Sequence, residues 1–258
     1  MTLRAGREKI DFVESLETNQ LKKASVADGG PEARSLTSRV YGQLRRDIIT
    51  CVLRPGVKLR INDLQIRFDV SLSAIREALS RLASDGLVVA ADQRGFRVSP
   101  VSLADLNDVM RTRVQIECLA LQQSIKLGDL DWEARVAATY YRLSRLPRAS
   151  GSHPEMMSDD WADAHGAFHR SLVEACQSPW LLNFRDTLYE QTERYRRLTV
   201  NLEPARDVLT EHEALMAATL ARQADKAASV LEEHLGLTAQ ILVSYFKANP
   251  IDLGSYGN

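Results

Sequence analysis

The sequence contains no apolar run approaching the roughly 20 residues that a membrane-spanning helix needs. Its opening, MTLRAGREKIDFVES, is mixed in charge and has no apolar signal-peptide core, so a cytoplasmic location is expected. Cysteine is scarce: Cys51, Cys118 and Cys176 are far apart, odd in number and form no CxxC pair. That excludes a disulfide framework and fits reduced core residues. No internal repeat or low-complexity tract is present. Nor is there a net charge to name a partner, the balance being −1 over 258 residues.

What is present is a chain long enough for two compact domains or one large one, with an ordinary 45% apolar content. Its charge is unevenly spread. Between Leu36 and Pro100 there are 11 Lys and Arg against 6 Asp and Glu, a local net of +5 that leaves −6 for the remainder. A basic module joined to an acidic one suits a protein in which only one part meets phosphate, although chance could produce the same figure.

Residues 1–35 are polar, with no sustained apolar period, and are expected to form a flexible tail. From Leu36 the pattern is helical: Val40, Leu44 and Ile48 recur every four residues until Arg54-Pro55-Gly56 breaks the stripe. A second short helix fits 63–68, with Asn62 as N-cap and Leu64 and Phe68 facing inward. Ser71 can cap a third helix running to about Asp85, with Ile75, Leu79 and Leu82 inside and Gly86 ending it. Leu87–Ala90 and Phe96–Val98 flank a turn containing Gly95, a β-hairpin signature. Three helices and a hairpin over 36–101 predict a winged helix-turn-helix.

Beyond Pro100 nothing resembles a strand. Ser102 and Asp105 predict a capping box opening a helix to about Leu127. Further helices fit 131–145, 158–176, 180–201, 205–222 and 225–247, with a loop between 146 and 157. Residues 102–248 thus predict an all-α antiparallel bundle, with 249–258 as a C-terminal tail. The fold class is mainly α.

Burying Ile75, Leu79 and Leu82 leaves Leu72, Ser73, Arg76 and Ser80 on the outer face of the third helix. Its N-terminus, with Ser71 and Ser73, suits a phosphate. Arg76 lies one turn in, where its planar fork can reach a guanine edge. Arg94-Gly95 places a cation on a hairpin tip with little bulk. Arg76 alone reads better as a solvated ion-pair partner; together with Arg94 and the helix start on one basic module, it favours double-stranded DNA.

The segments Leu53-Arg54-Pro55-Gly56-Val57-Lys58-Leu59, VSLSAIREALSRLASDGLV (70–88) and QRGFRVSPVS (93–102) resemble the DNA-binding domain of the GntR family of transcription regulators. The resemblance implies operator contacts at Ser71, Ser73, Arg76, Arg94 and Gly95. Cys51 stands where the family usually has glycine. Leu72 replaces a common arginine, which removes one contact from the family's usual set.

Four of the five histidines lie on helices predicted after Pro100. His165 and His169, four apart, share one helix face. His212 and His234 are each eleven residues from a turn centred near Gln223. In an antiparallel hairpin that puts them at one height, and eleven residues is close to three turns, so both face the same way. Four imidazoles can then converge on a divalent transition metal, although each pair alone is as readily surface or hydrogen-bonded core.

These spacings resemble the FCD effector domain of the FadR branch of GntR regulators, whose D-x-x-x-H, E-H and H-[LIM] elements match His165-Gly166-Ala167-Phe168-His169, Glu211-His212 and Glu233-His234-Leu235. The resemblance spans about Leu36 to Phe246. His165 replaces the usual aspartate, and Asp163, six residues before His169, falls on another face. Imidazole for carboxylate removes a negative charge and favours zinc, with nickel or cobalt next, over manganese or calcium. Arg113, one turn from Glu117, forms a local ion pair or, as the resemblance implies, points into the effector pocket to clamp a carboxylate. Met156, Met157, Trp132, Trp161 and Trp180 are expected to be packing residues.

The resemblance implies a homodimer on a palindromic operator, most commonly a repressor, with an activator as the alternative. The implied effector is a small organic acid, such as glutarate or a related C4–C5 dicarboxylate. Two other readings stay open. One is a metal-dependent enzyme with a DNA-binding appendage, disfavoured because Gly166 follows His165 where HExxH would place a glutamate, leaving no catalytic residue to name. The other is a metal that serves stability alone.

Overall fold

The computed structural model describes residues 31–91, 95–149, 151, 157–198 and 206–248. Most of the expected N-terminal tail, the expected C-terminal tail and Arg94 lie outside them. The chain forms two compact units, one built from the chain up to Asp47 and Val57–Ser99, the other from Ile48–Gly56 and the chain from Pro100 on.

The first unit holds α1 (Pro31–Ile49, whose last turn passes into the second unit), β1 (Lys58–Leu59), α2 (Ile61–Phe68), α3 (Leu72–Ser84), β2 (Val88–Ala91) and β3 (Gly95–Val98). Helix α1 starts five residues before the expected Leu36. Proline opens it, at a position where a fixed φ and a missing N–H cost nothing. Val40, Leu44 and Ile48 are all buried, as their spacing requires. In α2 the cap expectation is corrected. Arg60 occupies the N-cap without a side-chain bond, and Asn62 lies inside the first turn. Leu64 is buried, while Phe68 is only half-buried.

Helix α3 buries Ile75, Ala78, Leu79 and Leu82, and Ser71 Oγ accepts the Ala74 N–H at 3.3 Å. It ends where Gly86 turns left-handed (φ +72°). Gly86 N–H then donates to the Ala83 carbonyl at 3.1 Å and Leu87 N–H to the Leu82 carbonyl at 2.9 Å, the paired bonds of a Schellman motif. Strand β3 lies between β1 and β2, antiparallel to both, with Phe96 opposite Leu59 on one side and Ala90 on the other. The expected hairpin is therefore part of a three-stranded sheet.

The second unit holds α4 (Leu103–Leu127), α5 (Leu130–Ser144), α6 (Asp159–Val173, extended by a 3-10 turn over Glu174–Cys176), α7 (Pro179–Leu198), α8 (Val208–Leu220) and α9 (Ala224–Ala248). Helix α4 packs on α6, α7 and α9, and α5 packs on α6 and α8. Leu106, Leu121, Trp132, Phe168, Leu172 and Leu231 lie in one core, and the Trp132 indole N–H donates to the Ser171 carbonyl at 2.7 Å. Between described residues of the expected 146–157 loop there is one isolated bridge, Ala149 with Met157. No helix among the described residues is long and apolar enough to cross a membrane.

The α4 start departs from the expected box. Ser102 Oγ accepts the Asp105 N–H at 3.1 Å, but the Asp105 carboxylate accepts the Tyr195 hydroxyl at 2.5 Å instead of reaching back. The Ser102 N–H donates to that same hydroxyl oxygen at 3.1 Å. A residue 90 positions away thus completes the cap and ties α7 to α4. Tyr195→Phe is expected to lower the stability of the helical unit by about 1–2 kcal/mol with its far-ultraviolet spectrum unchanged, measured by urea unfolding.

Candidate functional site

In the first unit, Ser73 and Arg76 are exposed on α3, with Leu72 beside them at 45% exposure. The Ser71 and Ser73 hydroxyls lie 2.9 Å apart at the helix start. No carboxylate forms an ion pair with Arg76 among the described residues. Its guanidinium stands out from a helix whose opposite face is fully packed, a geometry suited to entering a groove. Gly95 opens β3 at φ +83°, with open space where a Cβ would lie, so the turn demands glycine for its backbone and not for room.

In the second unit, His165 and His169 come from α6, His212 from α8 and His234 from α9, and all four are buried. One ring nitrogen from each lies within 4.8 Å of the others, and no carboxylate belongs to the group. His169 Nε2 and His212 Nε2 face each other at 3.2 Å, and the His212 and His234 rings are 4.6 Å apart. The last pair depends on the α8–α9 turn. There Arg222 takes a left-handed conformation (φ +57°), its N–H donating to the Thr219 carbonyl at 3.0 Å. Its guanidinium donates to the Ile125 and Gly128 carbonyls at 2.6 and 2.9 Å, which locks the turn to the end of α4.

Burial pushes all four imidazole pKa values down. Arg196 adds to burial at His165, and the neighbouring rings add to it at His169 and His212. Neutral rings keep a lone pair for a cation. Their outer nitrogens are differently engaged. His234 Nδ1 meets Glu211 Oε2 at 2.7 Å, which leaves its Nε2 turned inward as an acceptor. Burial alone would raise the Glu211 pKa, but its bonds from His234 and Arg206 outweigh burial and hold it at about 2. His165 Nδ1 lies 3.3 Å from Arg196 Nη1, and His234 Nδ1 lies 3.4 Å from Arg206 Nη2. Asp163 is exposed and plays no part. Four neutral imidazoles are a donor set that fits zinc, nickel or cobalt and not the oxygen-seeking ions.

Beside His165 and His234 opens a cavity of about 60 Å³. Arg113, Arg148, Arg196 and Arg206 line it, with Trp161, Met157 and aliphatic side chains from α8 and α9. Arg206 is held by a two-point ion pair to Glu211 at 2.7 and 2.6 Å. Arg113 is 2% exposed; its Nε donates to Glu117 Oε1 at 2.7 Å, and its Nη2 has no hydrogen-bond partner among the described residues. A cavity walled by guanidiniums next to neutral imidazoles suits an organic anion.

Several of these residues carry no signal in the sequence reading. Trp161 and Met157, expected as packing, line the cavity, and Trp161 stacks on His165 with centroids 4.8 Å apart. Trp161, His165 and His169 recur every four residues, a spacing that could have revealed the first of them. Trp132 is core, as expected, whereas Trp180 is 73% exposed. Met156 and the fifth histidine, His153, lie outside the described residues. Arg148, Arg196 and Arg206 come from separate segments, and only the fold gathers them.

Residues 36–98 match the family described as bacterial regulatory proteins of the gntR family, and residues 108–237 match the FCD domain. The regulator BphR of Paraburkholderia xenovorans strain LB400 is 43% identical over 216 residues, covering 82% of this chain and 88% of its own length. The repressor GlaR of Escherichia coli K12 is 35% identical over 200 residues, covering 76% and 90%. Among solved structures, E. coli McbR/YncC shares the fold with a TM-score of 0.67 at 20% identity, covering 82% of this chain and 98% of that one. BphR and McbR are described as HTH-type transcriptional regulators and GlaR as an HTH-type transcriptional repressor. The chain belongs to the GntR family of DNA-binding transcription regulators, in the branch that carries an FCD domain.

Proposed function

We propose that this regulator is a homodimeric repressor, released from a palindromic operator by a small carboxylate that binds beside a metal held by His165, His169, His212 and His234. The observation that carries this reading is the four-imidazole cluster opening on an arginine-walled cavity. In the proposed division, 36–101 binds DNA and 102–248 binds metal and effector and forms the dimer. Zinc suits the donor set best, with nickel or cobalt as alternatives. When bound, the ion would supply a Lewis-acidic point for one carboxylate of the effector.

The chain's own side chains do the rest. Arg113 directs Nη2 at the anion while Glu117 holds its Nε. Arg148, Arg196 and Arg206 supply further positive charge for a second carboxylate, which favours a dicarboxylate of the C4–C5 class. Aliphatic side chains on α8 and α9 cover the methylene segment. Repression is favoured because GlaR and RspR, both from E. coli K12, are named repressors. To move the dimer from about 1:99 to 99:1 between operator-binding and released states, the effector's preference must reach ~5.5 kcal/mol.

On DNA, the start of α3 would meet phosphate through Ser71 and Ser73. Arg76 would read a base edge, with Arg94 and Gly95 at the wing. Arg76→Ala is expected to weaken binding to a selected genomic operator at least about tenfold per half-site with the melting temperature unchanged, measured by fluorescence anisotropy. Unchanged affinity would remove Arg76 from the interface. Purified protein is expected to carry roughly one zinc, nickel or cobalt ion per chain. His169→Ala should lose that ion and glutarate-induced operator release together. Release that survives loss of the ion would assign the metal to stability alone.

A further inference from the structure

Two side-chain relays run from the cavity wall to the imidazole cluster. In the first, Arg206 donates to Glu211 at 2.6 Å, and Glu211 Oε2 meets His234 Nδ1 at 2.7 Å. In the second, Arg113 Nε donates to Glu117 Oε1 at 2.7 Å, and Glu117 Oε2 lies 4.0 Å from His169 Nδ1. Both arginines line the cavity. The order Arg–Glu–His is the same, but the second relay is open at its last link.

That opening is chemically conspicuous. Glu117 and His169 are both fully buried, and neither Glu117 Oε2 nor His169 Nδ1 has a hydrogen-bond partner among the described residues. Buried polar atoms of this kind are nearly always paired. Glu117 Oε1 is already taken, by Arg113 Nε and by Arg185 Nε at 3.4 Å, and both guanidiniums lie over the Tyr189 ring. Its remaining oxygen therefore faces the imidazole with nothing else to serve. An acceptor and a ring nitrogen face to face repel if that nitrogen carries its lone pair, and bond if it carries a proton. Since His169 turns Nε2 toward His212, use of Nε2 by a cation would fix the proton on Nδ1, facing Glu117.

We propose that Glu117 is a positioning residue that acts through His169. It fixes the Nδ1–H tautomer and so ties the anion-facing Arg113 to the cation-facing ring, as Glu211 ties Arg206 to His234. This rests on the reading of the cluster as a metal site, and it adds a role for a carboxylate that otherwise only neutralises two arginines.

The test is zinc affinity of the full-length protein, measured by competition with a chromophoric chelator, for wild type, Glu117→Gln and Glu211→Gln. Both variants are expected to lose about 10–100-fold: at 117 the arginine and the imidazole face different oxygens, of which glutamine keeps one, and at 211 the amide NH2 would face either the Arg206 Nε–H or the donors that share Oε2. If Glu117→Gln does not fold, Glu117→Asp keeps the charge beside Arg113 and Arg185 but shortens the reach to His169, and the same loss is expected. A second measurement needs no variant: nitrogen-15 NMR of the zinc-loaded wild type should show His169 protonated at Nδ1 and bound through Nε2. A Glu117 variant that holds zinc within twofold of wild type, or a His169 bound through Nδ1, overturns the inference while the metal site stands. A wild type that takes up no zinc, nickel or cobalt overturns the metal reading and this one with it.

Discussion

Four imidazoles held without charge in the interior of a helical bundle are the constraint around which the second unit is built. Burial disfavours protonation, so each ring keeps a lone pair that needs a partner, and the rings must meet at one point to share it. Meeting depends on helix register. His165 and His169 are aligned by the period of α6 alone, whereas His212 and His234 face each other only if the α8–α9 turn has the right length. One residue more or less there would rotate His234 by about 100° around its helix. The turn is accordingly fastened from outside, by Arg222 bonded to carbonyls at the end of α4.

Charge around the cluster is arranged in layers. The cluster contains no carboxylate; Glu211 is bonded to His234 and Glu117 lies 4.0 Å from His169, each holding an arginine of the cavity wall. The inner ring is thus neutral, the next shell acidic and the cavity face basic. With the carboxylates moved outward, a cation held by the four rings would be less compensated than one with an aspartate ligand, and the excess would face the arginine-walled cavity. This is the physical difference that His165 makes at a position where the FCD domain usually has aspartate.

Much of the scaffold was legible from periodicity, because long amphipathic helices repeat the same signal many times. The α4, α5 and α9 boundaries needed only shifts of about one residue. Short or tertiary features were not legible. Strand β1 has two residues, too few to show alternation. Asn62 looked like a cap because its chemistry fits one, but backbone geometry placed the helix start at Arg60. The Ser102 box was half right, since the reciprocal bond goes to Tyr195, whose sequence distance hides it.

The same division holds at the site. The histidine convergence could be worked out by counting residues along helices, since equal distances from a turn translate into equal heights. Of the cavity arginines, the family resemblance pointed to Arg113, whereas Arg148, Arg196 and Arg206 could not be found that way, because they meet only through bundle packing. The most direct measurement of the central claim is the zinc X-ray absorption spectrum of the purified protein. The account predicts a first shell of nitrogen and oxygen at roughly 2.0–2.2 Å with multiple scattering from imidazole rings. A sulfur shell at about 2.3 Å, or the absence of imidazole scattering, would contradict it.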